Sequence, residues 1–276
     1  MKKYDFITIG GATEDITFYT HEGLMIANRK DILRQKLLAF EYGTKIKIDH
    51  SNSTFGGGAA NAAVCFSRLG FKAAALVAVG DDERGGKITA NLKKEKVDTN
   101  LVQKIKGVES GYSFILTGLD SEHIVFSNRG ANSQLSIINL QLSIINNTEW
   151  IYLTSLSGDW QNVLRKLIFL KNVKIAWNPG HIQLKSGVKV LGKYLKKTEV
   201  LIVNKDEAIE LAVSDKKFSK KSGNFLNEIK NLIKIIHKRG PKIAVITNGK
   251  HGAYAYDGKK IYYQPVIKEK KRINTT

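Results

Sequence analysis

Four short stretches of this chain pair chemically capable side chains with backbone that can come close to a ligand. The first is Gly56-Gly57-Gly58-Ala59-Ala60-Asn61-Ala62-Ala63. Successive glycines permit positive φ and a close approach of main chain to a bound molecule. The run opens into Ala59 to Leu69, which with Gly70 behind it reads as a short helix ended by a glycine cap. N–H groups at a helix start lack partners inside the helix, and an Asn amide both donates and accepts hydrogen bonds. Gly57, Gly58 and Asn61 are therefore candidates to hold a polyhydroxylated molecule or a phosphate, with plain packing of the glycines as the alternative.

The other three stand where strands are expected to end. Asp15 follows the apolar run Tyr4 to Ile9 and the Gly10-Gly11 turn, and open α/β sheets bind ligands beyond the carboxyl ends of their strands. A carboxylate accepts two hydroxyl protons at once and so can grip a vicinal diol; a turn cap is the alternative. Asn204-Lys205-Asp206-Glu207 follows the strand-like Leu201 to Val203. Residues three apart share one side of a first helical turn, and such an oxygen pair can orient water around Mg2+, which keeps most of its hydration shell. An N-terminal cap beside a favourable Glu is the plainer reading. Thr247-Asn248-Gly249-Lys250-His251-Gly252 follows the strand-like Lys242 to Ile246. The Thr247 hydroxyl can meet phosphate, and Gly249 and Gly252 let a nucleotide come close.

The elements that must carry these residues alternate. Strands are expected at Tyr4 to Ile9, Ala73 to Val79, Ile151 to Leu156, Lys174 to Trp177, Val200 to Val203 and Lys242 to Ile246. Helices are expected at Asp159 to Asn172, Val188 to Lys197, Glu207 to Val213 and Phe225 to Lys238, the last with Leu226, Ile229, Leu232, Ile233 and Ile236 on one face. This order implies an α/β fold with a mostly parallel central sheet covered by helices on both faces. Two segments depart from it. Thr17 to Phe55 ends in the alternating Lys45-Ile46-Lys47-Ile48-Asp49, and Gly111 to Asn128 reads as a hairpin turning at Gly118-Leu119-Asp120-Ser121. Both alternate as half-exposed strands do, so a small antiparallel sheet is expected outside the main one. It would serve as a flap that excludes water, or as an edge decoration. The expectation is one domain, residues 1–276, with lid segments at about 17–55 and 111–128.

Composition narrows the partners. The formal charge of +19 comes from 44 basic and 25 acidic residues. The basic residues are scattered and lack an aromatic or zinc-finger context, so a nucleic-acid role is not expected. Nothing approaches the roughly 18 consecutive apolar residues of a membrane span, and Met1-Lys2-Lys3-Tyr4-Asp5 leads into a strand without a signal-peptide core. The sole cysteine, Cys65, excludes a disulfide within the chain, fits a cytoplasmic setting and is expected to pack within its helix. The six histidines are dispersed without metal-ligand spacing. The seven-residue repeat Gln134-Leu-Ser-Ile-Ile-Asn and Gln141-Leu-Ser-Ile-Ile-Asn has too few copies for a solenoid.

Taken together, these stretches resemble the PfkB carbohydrate kinase family, also called the ribokinase family, over almost the whole chain. Gly56-Gly57-Gly58-Ala59-Ala60-Asn61 with Arg68-Leu69-Gly70 is similar to its N-terminal signature, and Gly80-Asp81-Asp82 with Gly85 to its Gly-x-Asp-x-x-Gly turn. Arg129-Gly130-Ala131-Asn132 looks like the segment returning from its lid, Asn204 and Glu207 like its Asn-x-x-Glu motif, and Thr247, Gly249 and Gly252 like its ATP loop. The resemblance implies a ribokinase-like fold and phosphorylation of a hydroxyl on a sugar or nucleoside. It also implies ATP and Mg2+ as cofactors, with a monovalent cation as an open addition. Asp15, Gly57, Gly58 and Asn61 would hold the substrate, Asn204, Thr247, Gly249 and Gly252 the nucleotide phosphates, and Glu207 the Mg2+ through water. A homodimer through the lid would follow the same pattern.

The chain departs from the family at its end. The second signature, Asp-Thr-Thr-Gly-Ala-Gly-Asp, appears here as Ile273-Asn274-Thr275-Thr276. In the family that Gly-Ala-Gly forms an anion hole and the last Asp is the general base. A base is worth roughly 10²–10⁴ in rate and an oxyanion donor roughly 10²–10³, so the chain as given is expected to bind without turnover. An incomplete product of a longer reading frame is the foremost explanation, ahead of a degraded gene or a protein that has shed catalysis. Loss of the family's terminal helices would leave an apolar sheet face open. Two other functions stay in view: a non-catalytic sugar- or nucleotide-binding protein, and a dinucleotide-dependent oxidoreductase. Gly10-Gly11-Ala12 invites the second, although Gly-x-Gly-x-x-Gly is absent.

Overall fold

The computed structural model describes residues 3–27, 36–118, 123–137, 139–218 and 223–267. In chain order the first elements are β1 (Tyr4–Gly10), β2 (Thr13–Tyr19), β3 (Leu24–Ala27), β4 (Lys36–Ala39), β5 (His50–Gly56) and α1 (Gly58–Arg68). Next come β6 (Ala73–Gly80), α2 (Glu83–Lys94), β7 (Gln103–Ile105), β8 (Tyr112–Thr117), β9 (His123–Asn128) and a 3-10 turn at Gly130–Gln134. Then follow α3 (Asn139–Asn146), β10 (Thr148–Leu153), α4 (Trp160–Leu167), β11 (Lys174–Trp177), α5 (His181–Lys185), α6 (Gly187–Leu195) and β12 (Val200–Asn204). The last are α7 (Lys205–Val213), α8 (Gly223–Asn227), α9 (Ile229–His237), β13 (Ile243–Thr247), β14 (Ala253–Tyr256) and β15 (Ile261–Gln264).

The main sheet runs β15-β14-β13-β12-β11-β10-β1-β6-β7. It is parallel from β13 to β7 and antiparallel only where β14 and β15 add on at one edge. Its centre is apolar on both sides: all eight residues of β6 are buried. Ala59, Ala60 and Ala63 of α1 are buried as well, and α1 packs on β1 and β6. Small side chains on both partners let helix and sheet sit close, which places the start of α1 hard against the end of β1. At its other end α1 stops in a Schellman arrangement, with Phe71 N–H on Phe66 O, Gly70 N–H on Ser67 O and Gly70 at φ +89°. On β12 and β13, Leu201, Val203, Ala244 and Ile246 are buried, whereas the alternate residues Val200, Ile202, Ile243 and Val245, which face the other way, are half-buried.

A second sheet, β5-β2-β8-β9, is separate from the first and carries strands of both segments expected as a lid. Its outer pairings are antiparallel and its central β2–β8 pairing is parallel. Only Gly11 and Ala12 separate β1 from β2. Asp15 therefore lies inside a lid strand and not at the carboxyl end of β1, because the chain changes sheets after two residues. Lys45 to Asp49 forms no strand although it alternates. Its backbone is tied to side chains, with Lys47 N–H on Glu22 Oε2 and Lys47 O on Thr20 Oγ1, and the strand begins at His50. The segment expected as one helix from Phe225 divides at Glu228, whose extended backbone caps α9. The turn residues Leu119-Asp120-Ser121 and the C-terminal Ile273-Asn274-Thr275-Thr276 lie outside the described residues.

Candidate functional site

The glycine run meets the end of β1. Gly57 has φ +92°, and a Cβ there would lie 2.5 Å from Gly11 O and 2.7 Å from Ala12 Cα. Gly11 O accepts hydrogen bonds from Ala59 N–H at 3.1 Å and Ala60 N–H at 3.4 Å. Two N–H groups expected to await a ligand are thus engaged within the fold, because positive φ at Gly57 folds the chain back onto Gly11. The Asn61 side chain is exposed at the same helix start. Thr154, buried after β10, fills the space beside Gly10 and Gly58: a Cβ on those glycines would come within 2.0 Å and 3.0 Å of Thr154 Oγ1. Gly58 is therefore a packing glycine as well as a candidate ligand contact.

Asp15 joins this group from the lid. Its Oδ2 lies 2.0 Å from where a Cβ on Gly56 would stand, and its Oδ1 accepts from Thr13 Oγ1 at 3.1 Å. Asn132 clamps the junction below it. The buried amide accepts from Ala12 N–H at 3.0 Å and donates to Ala12 O at 2.9 Å, across 120 residues of chain. Asp82 ties the core to the lid in the same way. As N-cap of α2 it accepts from Gly85 N–H at 2.7 Å, and it also accepts from Ser110 N–H at 2.8 Å and Ser110 Oγ at 2.6 Å, just before β8. Burial disfavours ionisation of Asp82, but the hydrogen bonds from Ser110 and Gly85 and the nearby Arg84 charge outweigh it and hold the carboxyl below the ordinary Asp value.

A second group lies further along the same edge. Asn204 and Thr247 are register partners at the ends of β12 and β13. Asn204 Oδ1 accepts from Glu207 N–H and Glu207 Oε2 accepts from Asn204 N–H, each at 2.8 Å. The pair is thus a capping box, the plainer of the two readings. Glu207 Oε1 has no hydrogen-bond partner among the described residues, so it remains open to a metal-bound water. No group of three or more His, Cys, Asp or Glu residues that could hold a metal occurs among the described residues. Gly249, at φ +50°, faces open space, and Gly252, at φ +78°, has its Cβ position 2.2 Å from Gln264 O.

Sheet order separates the two groups by β10 and β11. Three strand spacings of about 4.8 Å to β12 and four to β13 put the second group about 14–19 Å along the sheet from the end of β1. Residues after β10 and β11 stand between them, including Ser155 and Asn178, whose Nδ2 donates to Ile202 O at 2.9 Å. Sequence reasoning missed Asn178 and the clamping roles of Asn132 and Asp82; the Asn178-Pro179-Gly180 turn was the available signal for the first. Cys65 proves exposed, not packed, because it falls on the solvent side of α1, away from Ala60 and Ala63.

The mostly parallel sheet, its covering helices and the separate small sheet define a protein of the ribokinase fold. The chain belongs to the pfkB family carbohydrate kinases, whose pattern it matches over residues 27–276. Among solved structures it is similar to Arabidopsis thaliana ribokinase complexed with ribose and ATP, with TM-score 0.77, 18% identity, and coverage of 99% of this chain and 81% of that one. It is also similar to Methanocaldococcus jannaschii nucleoside kinase, with TM-score 0.73 and 23% identity over 99% and 80% of the two chains. In sequence it is 26% identical over 208 residues to a ribokinase of Haemophilus influenzae, covering 72% of this chain and 62% of that protein. No helix among the described residues is long and apolar enough to cross a membrane.

Proposed function

We propose that this chain binds a sugar or nucleoside beside Asp15 and the Gly56–Gly58 run, and Mg·ATP beside Asn204 and Thr247. The site would serve attack of a substrate hydroxyl oxygen on the γ-phosphorus, with the bond from that phosphorus to the β,γ-bridging oxygen breaking, ADP leaving and the hydroxyl proton passing to solvent. The observation that carries this reading is the pair of groups on one carboxyl edge, three to four strand spacings apart, one beneath the lid. Asp15 would accept two hydroxyls of a diol while Asn61, Gly57 and Gly58 line the same end. Thr247, Gly249, Gly252 and Asn204 would meet the phosphates, and Glu207 would orient water on Mg2+, which supplies charge neutralisation at the transferring group. Phosphoryl transfer depends mostly on such positioning and charge stabilisation.

No general base is assigned among the described residues: Asp82 is taken up by Ser110 and Gly85. A dinucleotide oxidoreductase has less support, because β1 leads into β2 and offers Gly10-Gly11 no helix N-terminus for a pyrophosphate. A homodimer through the lid is supported by one apolar lid face, where Ile16, Phe18, Phe114 and Leu116 continue into Ile124 (38% exposed) and Phe126 (58% exposed).

Calorimetry with Mg·ATP and with ribose, fructose, adenosine and inosine, beside an ADP-release assay, tests the proposal. Asp15→Asn should weaken binding of the responding sugar or nucleoside by about 10-fold or more while leaving ATP binding intact, the scale of one charged hydrogen bond. A folded chain that binds ATP but none of these acceptors, or whose binding ignores Asp15→Asn, would overturn the assignment.

A further inference from the structure

Arg84 lies in the first turn of α2, at one of the unspecified positions of the Gly80–Gly85 turn, yet its side chain reaches out of the core domain. Its Nε donates to Glu14 Oε2 at 2.8 Å, and its guanidinium sits 4.4 Å from the Tyr112 ring centroid. Glu14 Oε1 accepts a further hydrogen bond from Ser53 Oγ at 2.8 Å. Glu14 belongs to β2, Tyr112 is its register partner on β8, and Ser53 belongs to β5. One arginine on the core therefore engages two neighbouring strands of the lid directly and a third, β5, through Glu14. Both charges are largely shielded, with side chains 25% exposed for Arg84 and 12% for Glu14, so solvent screens this pair less than a surface ion pair. Burial opposes ionisation of Glu14, but the bonds from Ser53 and Arg84 and the charges of Arg84 and Lys87 prevail, holding its carboxyl below the ordinary Glu value.

We propose that Arg84 is a positioning residue that sets the attitude of the lid sheet against the core and thereby holds Asp15 in place beside the start of α1. Glu14 and Asp15 are neighbours on β2 with side chains on opposite faces. A grip on Glu14 from the α2 side therefore fixes where Asp15 projects on the other side. The Asp82 bonds to Gly85 and Ser110 hold the turn from which Arg84 extends, so the anchor is rigid at both ends. This inference rests on the substrate reading of Asp15 given above.

The test combines Arg84→Ala, Arg84→Lys, Asp15→Asn and the double variant. Hydrogen exchange is measured on the ligand-free chain, and binding of ribose, fructose, adenosine and inosine by calorimetry. In Arg84→Ala, amides of 13–19 and 50–56 should exchange several-fold faster while β10 and β12 keep their protection. Affinity for whichever ligand the unaltered chain binds should fall about 10-fold, the scale of a charge-assisted bond. Arg84→Lys, which keeps the charge but loses the planar fork, should recover part of both effects. In the Asp15→Asn background, Arg84→Ala should add less than about 2-fold, since residues acting through one contact are not additive. Exchange that is unchanged or rises evenly through the sheet would overturn the proposal, and so would a full Arg84 effect without Asp15. If the unaltered chain binds none of ribose, fructose, adenosine and inosine, the substrate reading fails, and the exchange pattern alone decides whether Arg84 holds the lid.

Discussion

Gly57→Ala and Gly70→Ala form a matched pair at the two ends of α1. Both glycines have nearly the same φ, +92° and +89°, but a Cβ on Gly57 would lie 2.5 Å from Gly11 O whereas Gly70 faces open space. Positive φ costs an L-residue about 1–2 kcal/mol, and alanine returns about 0.4–1 kcal/mol by restricting the unfolded chain. Gly70→Ala should therefore cost about 1 kcal/mol. At Gly57 the backbone must also move away from Gly11, which adds about 1–3 kcal/mol of overpacking and disturbs the carbonyl that receives Ala59 and Ala60. The total there is about 2–4 kcal/mol. At about 2–4 °C per kcal/mol for a chain of this size, Tm should fall by about 5–15 °C for Gly57→Ala and by about 2–4 °C for Gly70→Ala. Calorimetric melting of both variants is the assay. Equal shifts would refute the claim that the glycine run is seated on the end of β1.

Two more outcomes follow from the clamps beneath the lid. Asn132→Leu leaves Ala12 N–H and C=O buried without partners, at about 1–3 kcal/mol each, so urea denaturation should show a loss of about 2–6 kcal/mol; a loss under about 1 kcal/mol would contradict the clamp. The acid limb concerns Asp82 and Glu14, whose folded pKa values lie below their unfolded ones. Such groups contribute stability above their unfolded values of about 4, and lose it as pH falls through the lower folded values. Denaturation midpoints measured from pH 7 to pH 3 should thus decline below about pH 5, and Asp82→Asn should start lower and decline less.

Much of the fold was legible where the signal is local. The apolar Ala73 to Val79 run read as a strand, as it is, and Gly70 marked the end of α1 because positive φ is a property of the residue itself. Legibility failed where distant partners decide. Asp15 was misplaced because a switch between sheets over two residues has no periodicity. Lys45 to Asp49 alternates as a strand does, but Glu22 and Thr20 capture its backbone. The helix Glu83–Lys94 was not foreseen, since Gly85 and Gly86 break its pattern and its polar face is rich in lysine. The Asn204–Glu207 pair was visible as a spacing, and the structure resolves it as a capping box with one carboxylate oxygen left over.

The amino-acid sequence by itself determined which residues could do chemistry here: a glycine run with an Asn in the following turn, a carboxylate after the first strand, and two polar turns at strand ends. It did so because backbone freedom, acceptor geometry and helix capping belong to individual residues and their immediate neighbours. Only the tertiary structure decided which of these residues meet. Gly57 sits on Gly11, Asp15 lies beside Gly56 of the neighbouring strand 41 residues on, and Asn132 holds Ala12 across 120 residues. Such contacts depend on which strands lie side by side. That order comes from burying whole faces of helix and sheet together, a condition that no short stretch of sequence contains.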